Sequence, residues 1–163
     1  MVGMQQEIAN EILEKLRLRL TGEDRKRLTR RYTDNSEAYN LYLKSRHFSG
    51  KRSEEGLRKS IDYYQQAVDI DPTFAPVYSG LADSYALLAN YGFIQPAAAF
   101  PKAEAAAAKA LEIDEGLGEV HTSLAYAKTF YHWDWSGAEP EFRRAIAINP
   151  RYPTAHHWYV LRP

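Results

Sequence analysis

The chain of 163 residues contains no cysteine. Disulfides and thiolate metal sites are therefore excluded, and the redox compartment stays open. Nor is there an excess of either charge: 21 Lys and Arg stand against 21 Asp and Glu, so no global field recruits nucleic acid or an anionic membrane. No apolar run approaches the roughly 18 residues of a membrane span, and no signal-peptide pattern precedes Leu20. The expected location is cytoplasmic, or extracytoplasmic if the chain is part of a larger membrane-anchored protein. A glycine-rich phosphate loop, a nucleophile elbow and a His-Glu-x-x-His motif are all missing. Among five histidines, His156 and His157 are adjacent and would point about 100° apart on a helix, so they cannot chelate one ion together. His121 and His132 have no acidic or histidine partner at ligand spacing in the sequence. Asp83 reads as a lone carboxylate, which is no catalytic argument. The expectation is a protein that is not an enzyme, with no cofactor and no metal.

What the chain does have is repetition. The segment Tyr64-Gln65-Gln66-Ala67-Val68-Asp69-Ile70-Asp71-Pro72 returns as Ala107-Ala108-Lys109-Ala110-Leu111-Glu112-Ile113-Asp114-Glu115. It returns again as Phe142-Arg143-Arg144-Ala145-Ile146-Ala147-Ile148-Asn149-Pro150. Residues three and four apart share a helix face, so Tyr64, Ala67 and Val68 form one apolar seam. The Asp-Pro or Asn-Pro that follows stops the helix, because proline disfavours helical backbone in the residue before it. The shared alanine has a packing reason, since a short side chain lets a neighbouring helix approach closely. Ala67 and Ala110 lie 43 residues apart, and Ala110 and Ala145 lie 35 apart. Upstream of the second and third copies stand Val77 to Tyr85 and Val120 to Tyr126, each with Leu-Ala four residues after a valine.

Two helices per unit of about 34 residues, ending in Ala and Pro, resemble the tetratricopeptide repeat. Tyr78, Leu81, Ala82, Tyr85, Ala103 and Ala110 carry the resemblance in the middle unit. Leu124, Ala125, Ala138, Phe142, Ala145 and Pro150 carry it in the third. The middle unit departs from the pattern in its extra length and in Glu115, which stands where proline is expected. The resemblance implies an all-α, right-handed superhelix of antiparallel helix pairs, an α-solenoid. The expected units are 34–72, 73–115 and 116–150, with a helical extension at 1–33 and a truncated first helix at 151–163. A wider resemblance is to bacterial multidomain signalling proteins, in which such an array accompanies a kinase or winged-helix domain. The stretches Ile8 to Gly22, Arg31 to Tyr39 and His156-His157-Trp158-Tyr159 carry it. It implies a fragment or shortened relative of a larger protein.

Local signals place the elements. Residues 4–20 predict an amphipathic helix with Ile8, Ile12, Leu13, Leu16 and Leu20 on one face. Thr21 and Asp24 suggest a capping box before a short basic helix. Residues 1–33 hold eight Lys or Arg and five Asp or Glu, a net of +3. That cluster is either a solvated face or a phosphate-binding surface. Ser53 is the expected cap of the first unit's second helix. Asn90 to Pro101 reads as an inserted, non-helical stretch, because two prolines and a glycine interrupt it. Ser136 and Glu139 suggest a second capping box, with Pro140 just inside the helix start.

In such arrays the first helices build most of the inner wall. Projected on the helical period, that wall presents Tyr39, Tyr42 and Arg46, then Ser79, Asp83, Ala86 and Leu87, then Thr122, Tyr126 and Phe130. Tyrosine and arginine dominate interface energetics. The alternative for each residue is packing between neighbouring helices. The expected function is a scaffold or regulatory module that binds a protein or peptide in this groove. A Lys and Asn clamp for a terminal carboxylate is absent from the wall, which argues against chaperone-tail binding. The alternative is a nucleic-acid-linked regulator acting through Arg17 to Arg31. Trp158, Tyr159, Val160 and Leu161, with no helix after them, and the stripe Ile8, Ile12, Leu16 and Leu20 suggest a homodimer through exposed terminal helices. At the turn Tyr131-His132-Trp133-Asp134-Trp135, at least one tryptophan is expected to pack underneath.

Overall fold

A computed structural model describes residues 32–160 of the chain. Seven helices follow one another: α1 (Ser36–Ser49), α2 (Glu54–Ile70), α3 (Ala75–Asn90), α4 (Pro96–Ile113), α5 (Gly118–Phe130), α6 (Trp135–Ile148) and α7 (Pro153–Val160). No strand occurs among the described residues. The expected helix over 4–20, the Thr21–Asp24 cap and the basic segment 17–31 lie outside the described residues.

Helix starts are set by short polar side chains. The Asn35 side chain accepts from the amides of Glu37 and Ala38 at 2.9 and 3.1 Å, opening α1. Ser53 accepts from Gly56 at 3.1 Å and opens α2, with Glu54 and Glu55 placed against the positive end of the helix dipole. α3 and α4 begin instead with a proline in the first turn, where its missing N–H leaves nothing unsatisfied.

Three local expectations need correction. α4 resumes at Pro96 and carries Pro101 inside it, so the stretch to Pro101 is not an irregular insertion. The extra length of the middle pair lies mostly in its helices: α3 has 16 residues against 13 in α5, and α4 has 18 against 14 in α6. The turn between α3 and α4 is closed by Phe93 and Ile94 amides on the Leu88 carbonyl, with Gly92 at φ +73°. The cap of α6 is Asp134, not Ser136: its carboxylate accepts from the Gly137 amide at 2.9 Å and from the Ser136 hydroxyl at 2.9 Å. Pro140 therefore sits a full turn inside α6, on its exposed side.

Each helix packs on the next, and α1, α3, α5 and α7 also touch in series. That second set of contacts makes the first helix of every pair one wall of the array. Ala67, Ala110 and Ala145, the alanines of the repeat, are all fully buried, as are Ala38, Ala82 and Ala125. Small residues thus stand wherever two backbones converge. Larger apolar residues fill the space between pairs: Phe74, Val77 and Leu81 join the first pair to the second, and Leu117 and Val120 join the second to α5.

α7 packs on the third pair. Trp158 packs on Tyr126 with ring centroids 4.3 Å apart, and Tyr159 packs edge-on against Phe142 at 5.8 Å. The expectation that Trp158 and Tyr159 stand exposed is corrected, since both rings lie against the third pair; Val160 is 79 % exposed, and Leu161 lies outside the described residues. The expectation for the aromatic turn also fails. Trp133 is 70 % exposed with φ +56°, and Trp135 is 49 % exposed. Asp134 needs its own side chain on the Gly137 amide, and the tight turn that delivers it throws both tryptophans outward.

Candidate functional site

The wall formed by α1, α3, α5 and α7 borders a cavity of about 420 Å³. Tyr42, Arg46 and Ser49 of α1 line one side, with Gly50 and Arg52 from the following turn. Ser79, Gly80, Asp83 and Leu87 of α3 form its floor, and Glu119, Tyr152, Thr154 and Trp158 close the far side. Tyr64 reaches it from α2, because the glycine at 80 leaves room for its ring.

Five expected groove residues come together here: Tyr42, Arg46, Ser79, Asp83 and Leu87. Tyr39 lies beside Tyr42 with centroids 6.2 Å apart, outside the lining. The third unit's three residues do not line it. Thr122 is fully buried and its hydroxyl donates to the Gly118 carbonyl, so it offers nothing to a ligand. Tyr126 is 5 % exposed, donates its hydroxyl to Asn90 and stacks among Phe100, Phe130 and Trp158. Phe130 is partly exposed but packs on Tyr126. The physical reason is α7, which occupies the space in front of α5 that the helical projection leaves open.

The groove residues that sequence reasoning missed include Tyr64, Arg52, Glu119, Tyr152 and Trp158. Tyr64 was visible as part of the repeat seam, but nothing local says that it reaches through to the wall. Glu119 stands in the first turn of α5 and Tyr152 in the link to α7, both outside the face chosen by periodicity.

The electrostatics divide the groove. Arg46 Nη1 donates to the Tyr42 hydroxyl within α1 at 3.3 Å, and Arg52 Nη1, from the turn after α1, donates to the Tyr91 hydroxyl at the end of α3 at 3.4 Å. Asp83 accepts from the Ser123 hydroxyl. Burial pushes its carboxyl up to about 6, with the nearby Glu119 charge adding and Ser123 and Arg46 opposing. Glu119 accepts from the Asn149 side-chain amide at 3.0 Å. Burial raises the Tyr64 and Tyr152 hydroxyls, and the charge of Asp83 raises both further.

A second polar cluster lies between α5 and α6. Glu141 accepts from Lys128 Nζ at 2.9 Å and pairs with His121 Nδ1 at 2.7 Å. These bonds, the histidine's first, hold its carboxyl down to about 2. His132 meets Glu104 at 2.6 Å. Both histidines thus have acidic partners that sequence spacing does not reveal. No group of three or more His, Cys, Asp or Glu side chains among the described residues could hold a metal ion. No helix among them is long and apolar enough to cross a membrane.

This arrangement of helix pairs is that of a tetratricopeptide domain. The structure is similar to the tetratricopeptide domain of Arabidopsis OM64, with a TM-score of 0.57 at 21 % identity over 73 % of this chain and 88 % of that one. No protein-family model matches the sequence, and no curated protein does.

Proposed function

We propose that the protein is an interaction module that takes a segment of a partner protein into the groove bounded by Tyr42, Arg46, Ser79, Asp83 and Leu87. The observation that carries this reading is the cavity itself. It is bordered by first helices of successive pairs, with aromatic, aliphatic and charged groups all reaching it. Tyrosine and arginine supply contact area at low entropic cost, and Leu87 supplies an apolar subsite. The tetratricopeptide fold, a fold of scaffolds, supports a non-enzymatic role. Asp83 and Glu119 form a pair of carboxylates in one groove, and no histidine is among the residues that line it. The resemblance of Ile8 to Gly22 to linker helices supports a place within a larger bacterial signalling chain.

Affinity capture with the whole chain as bait, set against Tyr42→Ala and Leu87→Asp variants, tests the proposal. A partner retained by the wild type and lost by both variants supports it. Salt-steep binding to DNA that ignores both substitutions would favour the basic segment instead. A homodimer would pair through the stripe Ile8, Ile12, Leu16 and Leu20, because Trp158 and Tyr159 pack on the third pair. Light scattering of the wild type and of Ile12→Glu tests that point, and a wild-type monomer ends it.

A further inference from the structure

We infer that the segment seated in the groove presents a lysine or arginine side chain between Asp83 and Glu119. The inference rests on the groove being the binding site proposed above and adds what it selects. Both carboxylates border one cavity, one from α3 and one from α5. Each is held by a neutral donor only: the Ser123 hydroxyl for Asp83, the Asn149 amide for Glu119. Among the described residues no lysine, arginine or histidine nitrogen comes within 4.0 Å of either. Glu141 shows what the same fold does with a partly buried acid that needs no ligand, giving it both Lys128 and His121.

A carboxylate withdrawn from water without a cation is costly, and an incoming cation recovers that cost. Burial raises the Asp83 carboxyl, in keeping with that cost. The surroundings match an ammonium or guanidinium group. Tyr64 and Tyr152 border the same cavity as Asp83 and Glu119, and phenol rings beside carboxylates stabilise organic cations. Two carboxylates, with no third acidic, histidine or cysteine side chain beside them among the described residues, suit such a group better than a metal ion. Arg46 and Arg52 line the same cavity, and their charge repels the same cation from the part of it that they border.

The test pans a random-peptide display library against the whole chain. The best peptide is then measured by fluorescence anisotropy with the wild type, Asp83→Asn, Glu119→Gln and Tyr42→Ala. Asparagine keeps an acceptor for Ser123 and glutamine keeps one for Asn149, and thermal melts verify that each variant folds. The expected result is one invariant Lys or Arg in the enriched peptides. Changing it to Gln should weaken binding about tenfold or more. Asp83→Asn should weaken the parent peptide by a similar factor and leave the Gln peptide unchanged, as a shared interaction requires. If Asp83→Asn does not fold, Glu119→Gln with the same two peptides decides. Enriched peptides without a cation, weakened by Tyr42→Ala but not by Asp83→Asn or Glu119→Gln, overturn the cation and leave the groove standing. Peptides indifferent to all three substitutions, or no enrichment at all, overturn the groove and this inference together.

Discussion

The ring of Tyr64 lies on the bare backbone of Gly80, so close that a Cβ there would come within 2.6 Å of Tyr64 Cε1. Glycine inside a helix usually costs about 1 kcal/mol relative to alanine. Here that loss is offset by the approach of α2 to α3 and by the entry of Tyr64 into the groove. Gly80→Ala should therefore destabilise the protein by about 1–3 kcal/mol, the range for forcing extra volume into a packed site. Tyr64 is only 3 % exposed, so its ring must shift toward the groove to make room. Denaturant titration measures the effect. A Gly80→Ala variant more stable than the wild type would show that the ring moves freely.

A buried hydroxyl pair joins the same two helices. Ser60 Oγ and Ser84 Oγ lie 2.9 Å apart, both fully buried. Removing one hydroxyl takes a partner from the other, at roughly 1 kcal/mol. Removing both leaves two small apolar surfaces facing each other. Ser60→Ala together with Ser84→Ala should then cost less than the two single changes added. Additive losses in a double-mutant cycle would rule out the coupling.

Glu141 makes the third pair sensitive to acid. Its carboxyl lies near 2 in the folded protein against an ordinary 4.5, so the folded state favours the charged form. A depressed acid contributes its stability in full above the unfolded value and loses it as pH falls through the folded one. The stabilisation, on the order of 2 kcal/mol, should be present above pH 4.5 and fade toward pH 2. Melting the wild type and Glu141→Gln across that range should show the gap between them closing. A gap that stays constant would place the stabilisation elsewhere.

The parts of this fold that were legible are those set by side-chain size along one helix. Ala67, Ala110 and Ala145 announce close helix approach because nothing larger fits there, and their burial needs no knowledge of the partner. The half of the groove on α1 and α3 was legible for a similar reason, since Tyr42, Arg46, Asp83 and Leu87 share the open faces of their own helices. Projection fails where a later element decides. Tyr126 satisfies the same periodicity, but α7 lays Trp158 over it. Ser136 satisfies the capping pattern, but Asp134 reaches the amides first. Pro101 and Pro140 interrupt the pattern in sequence, yet each falls on an exposed position that loses only one backbone hydrogen bond.

Tyr42 and Tyr126 thus separate binding from folding. Both are first-helix tyrosines, and both would pass for groove anchors by spacing. Tyr42 borders the cavity with part of its ring exposed, packed on Phe74 at 5.1 Å and beneath Arg46. Tyr126 is 5 % exposed, its hydroxyl bound to Asn90 and its ring inside a cluster of three aromatics. Truncating a buried aromatic ring costs about 3–5 kcal/mol, a large share of what holds a domain of this size together. Tyr126→Ala should therefore melt far below the wild type, and Tyr126→Phe should lose only about 1 kcal/mol with its hydrogen bond. Tyr42→Ala should stay folded near the wild-type midpoint while losing affinity for a groove ligand. Circular dichroism melts of the three variants check the folding half without any ligand in hand. A Tyr126→Ala protein that melts with the wild type would mean that α7 does not bind the third pair as described, and it would return Tyr126 to the groove.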